Sequence, residues 1–324
     1  MQLVIIIKGR AKLRKNGLPR KQKSRLFKRE YAPLYLMAAP AFVYLLIFCY
    51  APMVGVVIAF EKFNVQKGFF GSEFVGFDNF KFLFATTDVF NITRNTVLYF
   101  FAYQAAGLAV SMTAALMLSM LRSARTAKVF QTFYLMPYFL SWTVVAAAVN
   151  ALISTGGFID QFLRALGAAP FSDSWYMTRS LWPPFLTFIS TWKAAGYSTV
   201  LFLAVISGIP VELYEAAMVD GASKWRQAWH ITLPQLRFIV TISLIMAMGS
   251  IVRGDFGLHF TVTRDTGYLY PVTDIIDTYI FRGLKMGNIG MSTAVGLFQS
   301  AVGLVMILAS NWIVNRVDPE RAMF

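Results

Sequence analysis

The sequence predicts an all-α, polytopic membrane protein with six transmembrane helices. Hydrophobic residues make up 57% of the 324 residues and charged residues only 14%, whereas soluble domains carry about a quarter charged residues. Six apolar stretches reach the length of about 20 residues that a bilayer-spanning helix needs. A strongly basic tail precedes the first of them, which is typical of a cytoplasmic N-terminus.

The six predicted spans cover residues 35–60, 93–121, 129–153, 183–206, 236–252 and 290–314. Pro40 and Pro52 lie within the first span and predict a bent or broken helix, because proline removes a backbone donor. Small residues recur every four positions in two spans, which favours close helix packing in lipid, although small residues are also common in such helices. These residues are Gly107, Ser111, Ala115 and Ser119 in the second span and Ser292, Gly296 and Ser300 in the sixth.

The distribution of Lys and Arg predicts that both termini are cytoplasmic. With this orientation, the inside segments contain 19 of the 30 basic residues and the outside segments contain eight. The inside segments are 1–34, 122–128, 207–237 and 315–324, and the outside segments are 61–92, 154–182 and 254–289. Eleven basic residues lie between Lys8 and Arg29, and the positive-inside rule explains them more simply than binding to nucleic acid.

The first apolar run is longer than the roughly 7–15 residues of a signal-peptide core and is expected to remain as a membrane span. Cys49 is the single cysteine, so the chain cannot form an intramolecular disulfide. His230 and His259 are the two histidines and lie far apart in sequence, whereas a zinc site normally needs three or four ligands. The sequence therefore predicts no metal site.

The loop between the fourth and fifth spans, residues 207–235, is predicted to fold as two short helices joined at a glycine. Pro210 suits the first turn of a helix, Gly221 suits a helix C-terminus, and Ser223 can cap the second helix. A mixed apolar and acidic surface, suited to docking a partner protein, is expected from Tyr214, Glu215, Met218 and Asp220.

This loop resembles the signature of the permease subunits of binding-protein-dependent ABC importers. That signature reads Glu-Ala-Ala, three residues, Gly, nine residues and Ile-x-Leu-Pro. Its fixed positions are present here without a gap, as Glu215, Ala216, Ala217, Gly221, Ile231, Leu233 and Pro234. The resemblance extends over roughly residues 90–315 and implies a type I ABC importer permease with cytoplasmic coupling helices. Residues 207–235 are called the coupling loop below.

The resemblance implies that the coupling loop sits in a cleft of a separate ATPase, with Glu215 facing the cleft and Gly221 setting the turn. The sequence has no Gly-x-x-x-x-Gly-Lys-[Ser/Thr] phosphate loop. We therefore expect no enzymatic activity and no cofactor on this chain, with ATP and Mg on two partner ATPase subunits. The other implied partners are a second permease chain, more often related than identical, and a periplasmic solute-binding protein that docks on segments 154–182 and 254–289.

The implied location is the bacterial inner membrane, with the lipid bilayer as a further partner. The expected organisation is a basic cytoplasmic tail (1–33), a first transmembrane helix with its outer loop (34–92), a permease core (93–315) and a cytoplasmic C-terminal tail (316–324).

The sequence around Asp220 is similar to that of the carbohydrate branch of ABC importer permeases, which implies an oligosaccharide substrate. Within that branch, the chain is similar to a group that includes an alginate importer. Lys193 lies inside the fourth span, where a lysine is costly unless it faces protein, water or another charge. It either faces the pathway and binds substrate, or it snorkels or is held by a structural hydrogen bond. An acidic sugar would be complemented by Lys193 and Arg253.

Arg253 and Asp255 flank the outer end of the fifth span and are expected to pair with each other, the alternative being that they line the outer mouth. Trp192, Tyr197 and Phe256 could stack on sugar faces, although aromatic residues more often pack in cores or face lipid.

The sequence also bears on three other functions. A secondary transporter or channel would be expected to carry paired carboxylates within its spans, and the spans contain almost none. A membrane-embedded enzyme would need a catalytic constellation that the sequence lacks. An ABC permease for a non-sugar solute, such as an amino acid, a peptide or an anion, is the remaining alternative.

Overall fold

A computed structural model describes residues 31–85, 87–121, 123–167 and 175–317. The predictions for most of the basic tail and for the end of the C-terminal tail fall outside these residues. The chain divides into two compact units, one up to Val54 and one from Gly55 onward.

The first helix, α1, comprises Ala32–Leu45 and contains Pro40. A π-helical turn, Leu46–Tyr50, follows it, and the chain then forms the 3-10 helix Ala51–Phe60. Because Pro52 has no N–H to donate, a regular α-helix cannot pass through this point with all its bonds intact. The interruption agrees with the prediction of a broken first span.

The second unit is built almost entirely from helices. A short antiparallel pair, β1 (Glu61–Lys62) and β2 (Glu73–Phe74), flanks the helical turn α2 (Gly68–Gly71). The remaining helices are α3 Asp78–Ala85, α4 Thr87–Ser119, α5 Ala124–Leu135, α6 Trp142–Ile153, α7 Phe158–Ala165, α8 Trp182–Ser207, α9 Val211–Val219, α10 Lys224–Gln227, α11 Leu233–Gln235, α12 Arg237–Met248, α13 Tyr270–Thr273, α14 Ile276–Lys285 and α15 Ile289–Val317.

Five helical stretches in the described residues are long and apolar enough to cross a membrane. They are Ala32–Phe60, Val89–Ser119, Trp142–Ala165, Arg179–Ser207 and Ile289–Arg316. A sixth span is obtained if Lys224–Gln235 and Arg237–Met248, which are bent by 49° relative to each other, count as one. The predicted number of spans is therefore reached only with this bent fifth span.

The third span differs from its prediction. A single helix over 129–153 was expected, but the 3-10 turn Met136–Phe139 separates α5 from α6. Pro137 lies in this turn and cannot donate to an α-helical ladder, and Ser141 caps α6 by accepting a hydrogen bond from the Val144 N–H at 3.3 Å. The span that begins at Trp142 continues to Ala165 instead.

Helices α4 and α8 form the centre of the bundle. Ser111 and Ala115 of α4 are fully buried, and the Ser111 hydroxyl donates to the Ala195 carbonyl of α8 at 3.3 Å. Small side chains allow this close approach, so the predicted helix interface is confirmed at these two positions.

A connecting segment, residues 249–288, links α12 to α15. It contains a π-helical turn, Leu258–Val262, and a 3-10 turn, Gly267–Leu269, in addition to α13 and α14. Leu258, Val262 and Leu269 are fully buried in one cluster with residues of α4, α6 and α8. The segment is therefore a packed part of the fold.

Candidate functional site

The coupling loop folds as its sequence predicts. Helix α9 begins directly after Pro210, with Glu212 in its first turn, where a negative charge is favourable. Gly221 adopts φ +74°, and Ser223 caps α10 through the Arg226 N–H. Two short helices are thus joined at a left-handed glycine.

The C-terminus of α9 is closed by its own backbone. The Ala222 N–H donates to the Ala217 carbonyl at 2.8 Å, and the Gly221 N–H donates to the Met218 carbonyl at 3.0 Å. This pattern is a Schellman motif, which requires a left-handed residue at the glycine position. The turn therefore has one defined geometry, set by Gly221.

The first half of the coupling loop presents an open surface. Glu215, Ala216 and Asp220 are exposed, and Ala217 is half-buried. The side chain of Val219 is 89% exposed. Other large apolar side chains that are exposed in the loop are Val211, Leu213, Met218, Trp225 and Trp229. Exposed apolar surface beside acidic groups fits a docking site for another protein.

The second half of the coupling loop is anchored to the bundle. Ile231, Leu233 and Pro234 are half-buried, so these signature residues lie in the packed base of the loop and not on the surface that carries Glu215. The Tyr214 hydroxyl lies 3.0 Å from the Thr232 hydroxyl, which ties α9 to this base.

A second bond connects the loop to α4. The Lys224 ammonium donates to the Met120 carbonyl at 2.7 Å, at the C-terminal end of α4, where a cation is favourable. A cavity of about 230 Å³ lies beside this bond, between Met120, Ile206 and Tyr214. The loop is thus held from two sides.

Lys193, the first candidate for the substrate pathway, is half-buried on α8. Its ammonium donates to the Tyr138 carbonyl at 2.9 Å and lies 5.1 Å from the centre of the Trp142 ring. The structural hydrogen bond that was one of the alternatives is therefore present. An ammonium has three donors, so two remain available for other groups.

Tyr197 belongs to the same cluster, whereas Trp192 does not. The Tyr197 ring stacks on Tyr138 with centroids 4.8 Å apart and an interplanar angle of 14°. Tyr197 is 47% exposed and Trp192 is 41% exposed. Successive residues of a helix point about 100° apart, and Trp192 has no ring contact with this cluster in the described part of the chain.

The predicted pairing of Arg253 with Asp255 is wrong. The Arg253 guanidinium donates to the Ser300 hydroxyl of α15 at 3.3 Å, and Asp255 accepts from the Leu258 N–H at 3.1 Å. Asp255 therefore caps the following turn, as Asp does at helix starts. Burial raises the pKa of Asp255, and the Leu258 N–H and the charge of Lys193 act in the opposite direction.

Phe256 serves packing. Its ring stacks on Phe260 at 5.0 Å with an interplanar angle of 14° and contacts Phe281 at 4.9 Å. Phe260 therefore covers one face of the Phe256 ring, and a sugar could stack on that face only by displacing it. The packing alternative therefore holds for this residue.

The structure adds a polar crevice that sequence reasoning missed. A cavity of about 250 Å³ lies between α4, α8 and α12, and it is lined by Tyr103, Gln104, Ser190, Thr191, Ser198 and Ser243 among others. The Thr191 hydroxyl is buried and has no hydrogen-bond partner among the described residues. Buried hydroxyls are normally paired, so this one is suited to a polar molecule in the crevice. The sequence signal that could have indicated this crevice is the presence of serine and threonine residues inside the predicted spans.

A second cavity of about 240 Å³ shares Tyr103 and Gln104 and reaches Arg253 and Asp255. A hydrogen bond to His259 orients the Tyr103 side chain. The Nδ1–H of His259 donates to the Thr273 carbonyl at 2.6 Å, which leaves Nε2 to accept from the Tyr103 hydroxyl at 2.8 Å. Burial lowers the pKa of His259 to about 4, so the ring is neutral at neutral pH.

An ion-pair network holds the connecting segment together. Arg282 pairs with Asp274 and, at 3.1 Å, with Asp265. The Tyr270 hydroxyl also donates to the Asp265 carboxylate, at 3.0 Å. Burial raises the pKa of Asp274 despite the bond from Arg282. These charges are satisfied within the segment and form a rigid scaffold.

Residues 107–321 match the model of a family described as binding-protein-dependent transport system inner membrane component. Protein LplB of Bacillus subtilis (strain 168) is 37% identical over 295 residues, which cover 89% of this chain and 90% of that protein. The polygalacturonan/rhamnogalacturonan transport system permease protein YteP of the same organism is 34% identical over 298 residues, which cover 91% of each chain.

Solved structures agree with this relationship. A crystal structure of a bacterial ABC transporter involved in the import of the acidic polysaccharide alginate contains a chain that aligns with a TM-score of 0.79 and 29% identity, over 89% of this chain and 97% of that one. A bacterial alginate ABC transporter in complex with alginate pentasaccharide-bound periplasmic protein gives the same TM-score and identity. The family match and the near full-length relatives show that this chain belongs to the inner membrane components of binding-protein-dependent transport systems.

Proposed function

We propose that this chain is the permease subunit of an ATP-driven importer for an acidic oligosaccharide, and that its coupling loop receives the motion of a separate ATPase. The observation that carries the proposal is the coupling loop itself. It combines an exposed apolar and acidic surface with a turn closed at Gly221 and a base packed into the bundle. A rigid element of this kind can be pushed by a partner without unfolding.

Force applied to the loop has three routes into the spans. Helix α8 leads directly into the loop, the Lys224 bond reaches the end of α4, and the Tyr214–Thr232 contact reaches the base of α12. ATP and Mg are assigned to two ATPase subunits, and Glu215, Ala216, Ala217, Asp220 and Gly221 form the docking end. Ile231, Leu233 and Pro234 hold that end in place.

The substrate class is inferred from the polar crevice, from Arg253 in the second cavity and from Lys193 on α8. Hydroxyl and amide groups that line a protein cavity suit a polyhydroxylated molecule, and the cations Lys193 and Arg253 suit carboxylates. Two similar proteins support the same class, since one is described as transporting polygalacturonan and rhamnogalacturonan and another imports the acidic polysaccharide alginate.

The remaining partners complete the importer. A second permease chain forms the pathway together with this one, and a solute-binding protein delivers the sugar from outside, as the periplasmic protein in the similar alginate complex supports. Both termini lie in the cytoplasm, on the side of the basic tail.

The substrate assignment is tested by uptake into proteoliposomes that contain the complete transporter and its binding protein. We expect uptake of pentagalacturonate, and we expect Lys193→Met to reduce it roughly tenfold, because one charge-assisted hydrogen bond is lost. Lys128→Met removes an exposed lysine of α5 and serves as the matched control. Equal uptake of pentagalacturonate and neutral maltopentaose by the wild-type protein would refute the acidic class.

The coupling role is tested by charge reversal at Glu215. We expect Glu215→Lys to leave the spans folded but to lower both assembly with the ATPase and uptake, because the docking surface changes sign. Glu73→Lys reverses another exposed acid, outside the coupling loop, and should transport normally. Normal assembly and uptake by Glu215→Lys would place the coupling element elsewhere.

A further inference from the structure

Two arginines and two tyrosines form a reciprocal clasp just before α8. The 3-10 turns Trp175–Met177 and Arg179–Leu181 lie against the connecting segment at this point. Arg179, in the second of these turns, lies over the ring of Tyr268 in the connecting segment. In return, Arg264 of the connecting segment lies over the ring of Tyr176 in the first turn. These four residues are called the arginine clasp.

Arg179 is exposed but fixed. Its guanidinium lies 4.2 Å from the centre of the Tyr268 ring, and its Nε donates to the Tyr268 carbonyl at 2.8 Å. A cation over an aromatic face is held electrostatically. Among the described residues only Nε has a hydrogen-bond partner, so both terminal nitrogens of Arg179 keep their donors for a ligand.

Arg264 is fixed by different contacts. Its guanidinium lies 5.8 Å from the centre of the Tyr176 ring, and Nη1 donates to the Asn150 side chain at 3.1 Å. Its backbone has φ 56°, and the next residue, Asp265, has φ 47°. Non-glycine residues rarely adopt this left-handed conformation, and strain of this kind concentrates at functional positions. The Arg264 side chain is exposed at this point.

No carboxylate in the described parts of the chain pairs with either arginine. The ion pairs found there are Lys81–Asp78, Arg282–Asp265 and Arg282–Asp274. Asp160, the acid of α7, instead accepts from the Gly156 N–H at 2.9 Å. Within the described residues, the clasp therefore presents two guanidinium groups that have no carboxylate partner.

The position of the clasp identifies the side of the membrane that it faces. It precedes the first residue of α8, and the coupling loop follows the last residue of that 26-residue helix. A helix of this length extends about 39 Å at 1.5 Å per residue, which exceeds the thickness of the hydrocarbon core. The clasp and the coupling loop thus lie on opposite faces of the membrane.

We propose that the arginine clasp is a docking point for carboxylates on the surface of the solute-binding protein. This inference rests on the proposed function, because that function places the clasp outside the cytoplasm. Arginine binds carboxylates in a bidentate manner and is enriched at the energetically important positions of interfaces. Stacking on tyrosine orders both side chains beforehand, which lowers the entropy lost on binding.

The test uses the complete transporter in nanodiscs and the substrate-loaded binding protein of the same system. The measured quantity is the concentration of binding protein that gives half-maximal stimulation of ATP hydrolysis. We expect Arg179→Gln and Arg264→Gln each to raise it roughly tenfold, because each removes a charge-assisted contact. Arg→Lys at either position should recover part of the affinity, since the charge remains while the bidentate geometry is lost.

Lys67→Gln is the matched control, because it removes an exposed cation of segment 61–92, outside the clasp and outside both docking segments, and should change the value less than twofold. The two clasp variants should also show a weaker dependence on salt than the wild-type protein. Unchanged affinity and salt dependence in both variants would overturn the proposal.

A second arm separates the two sources of carboxylate. Pentagalacturonate alone is added to nanodiscs without binding protein, and its binding is measured. If it binds the wild-type transporter and the clasp variants abolish that binding, the clasp recognises the sugar and the docking proposal is overturned. If the binding protein fails to stimulate the wild-type transporter, the proposed function fails first.

Discussion

Replacing Gly221 by alanine tests whether the geometry of the coupling-loop turn matters for transport. Gly221 adopts φ +74°, and a Cβ built on it meets no atom within 4 Å. The substitution therefore introduces backbone strain without a steric clash.

The magnitude follows from the strain alone. A left-handed conformation costs an L-residue other than glycine about 1–2 kcal/mol. At 1.4 kcal/mol per factor of ten, this cost lowers the population of the Schellman-closed turn by a factor of roughly 5 to 30 relative to conformations in which the turn is open. We expect the ratio of sugar imported to ATP hydrolysed to fall, because the open turn transmits less motion.

The connecting segment offers a matched control. Gly287 follows α14 with φ +83° and also has no atom within 4 Å of an added Cβ. The Asn288 N–H donates to the Gly283 carbonyl at 2.9 Å, which is the same Schellman bond. Gly287→Ala should therefore lower the melting temperature as much as Gly221→Ala does.

The two variants are compared in proteoliposomes by uptake and ATP hydrolysis per folded transporter. Gly221→Ala should lower the ratio of sugar imported to ATP hydrolysed, whereas Gly287→Ala should leave it unchanged. Gly221→Asn should restore part of the ratio, because asparagine tolerates the left-handed region. Equal coupling in both alanine variants, at an equal loss of thermal stability, would refute the argument that the turn transmits force.

Three further predictions concern the folded bundle. Gly196→Ala should lower stability by about 1–3 kcal/mol in a thermal melt, because its Cβ would lie 2.2 Å from the Tyr134 carbonyl; an unchanged melt would contradict the packing of α5 on α8. Arg282→Met should cost about 3–5 kcal/mol, because it leaves the buried Asp274 without its cation, and a melt at pH 7 checks this. His259 has a pKa of about 4 in the folded state and 6.5 when unfolded, so the unfolded chain binds the extra proton and stability should fall as pH drops from 6.5 towards 4. His259→Gln should remove this pH dependence, and an unaltered slope would contradict the assignment.

Most of the helical spans were predictable because lipid imposes a local rule. A run of about 20 apolar residues becomes a helix, since its backbone groups have no other partner in the membrane. The ends of α8 and α15 accordingly lie within a few residues of their predicted positions. The break at Pro137 was missed because average hydropathy does not register a single proline. That proline nevertheless removes a backbone donor and interrupts the helix.

The side-chain partners in the membrane region were not predictable in the same way. Lys193 finds its acceptor 55 residues away at Tyr138, and Arg253 finds its partner 47 residues away at Ser300. Arg253 and Asp255 are two residues apart, yet Arg253 bonds to α15 and Asp255 caps the turn that directly follows it. Sequence proximity was the wrong guide here, because packing determines which groups meet.

By itself, the sequence determined the class of protein, its approximate spans and the two-helix form of the coupling loop, since each depends on residues within a few positions of one another. Only the tertiary structure decided the bent fifth span, the polar crevice with its unpartnered Thr191 hydroxyl and the arginine clasp. These features are formed by segments far apart in the chain, whose contacts arise when the helices pack and leave no local pattern to read.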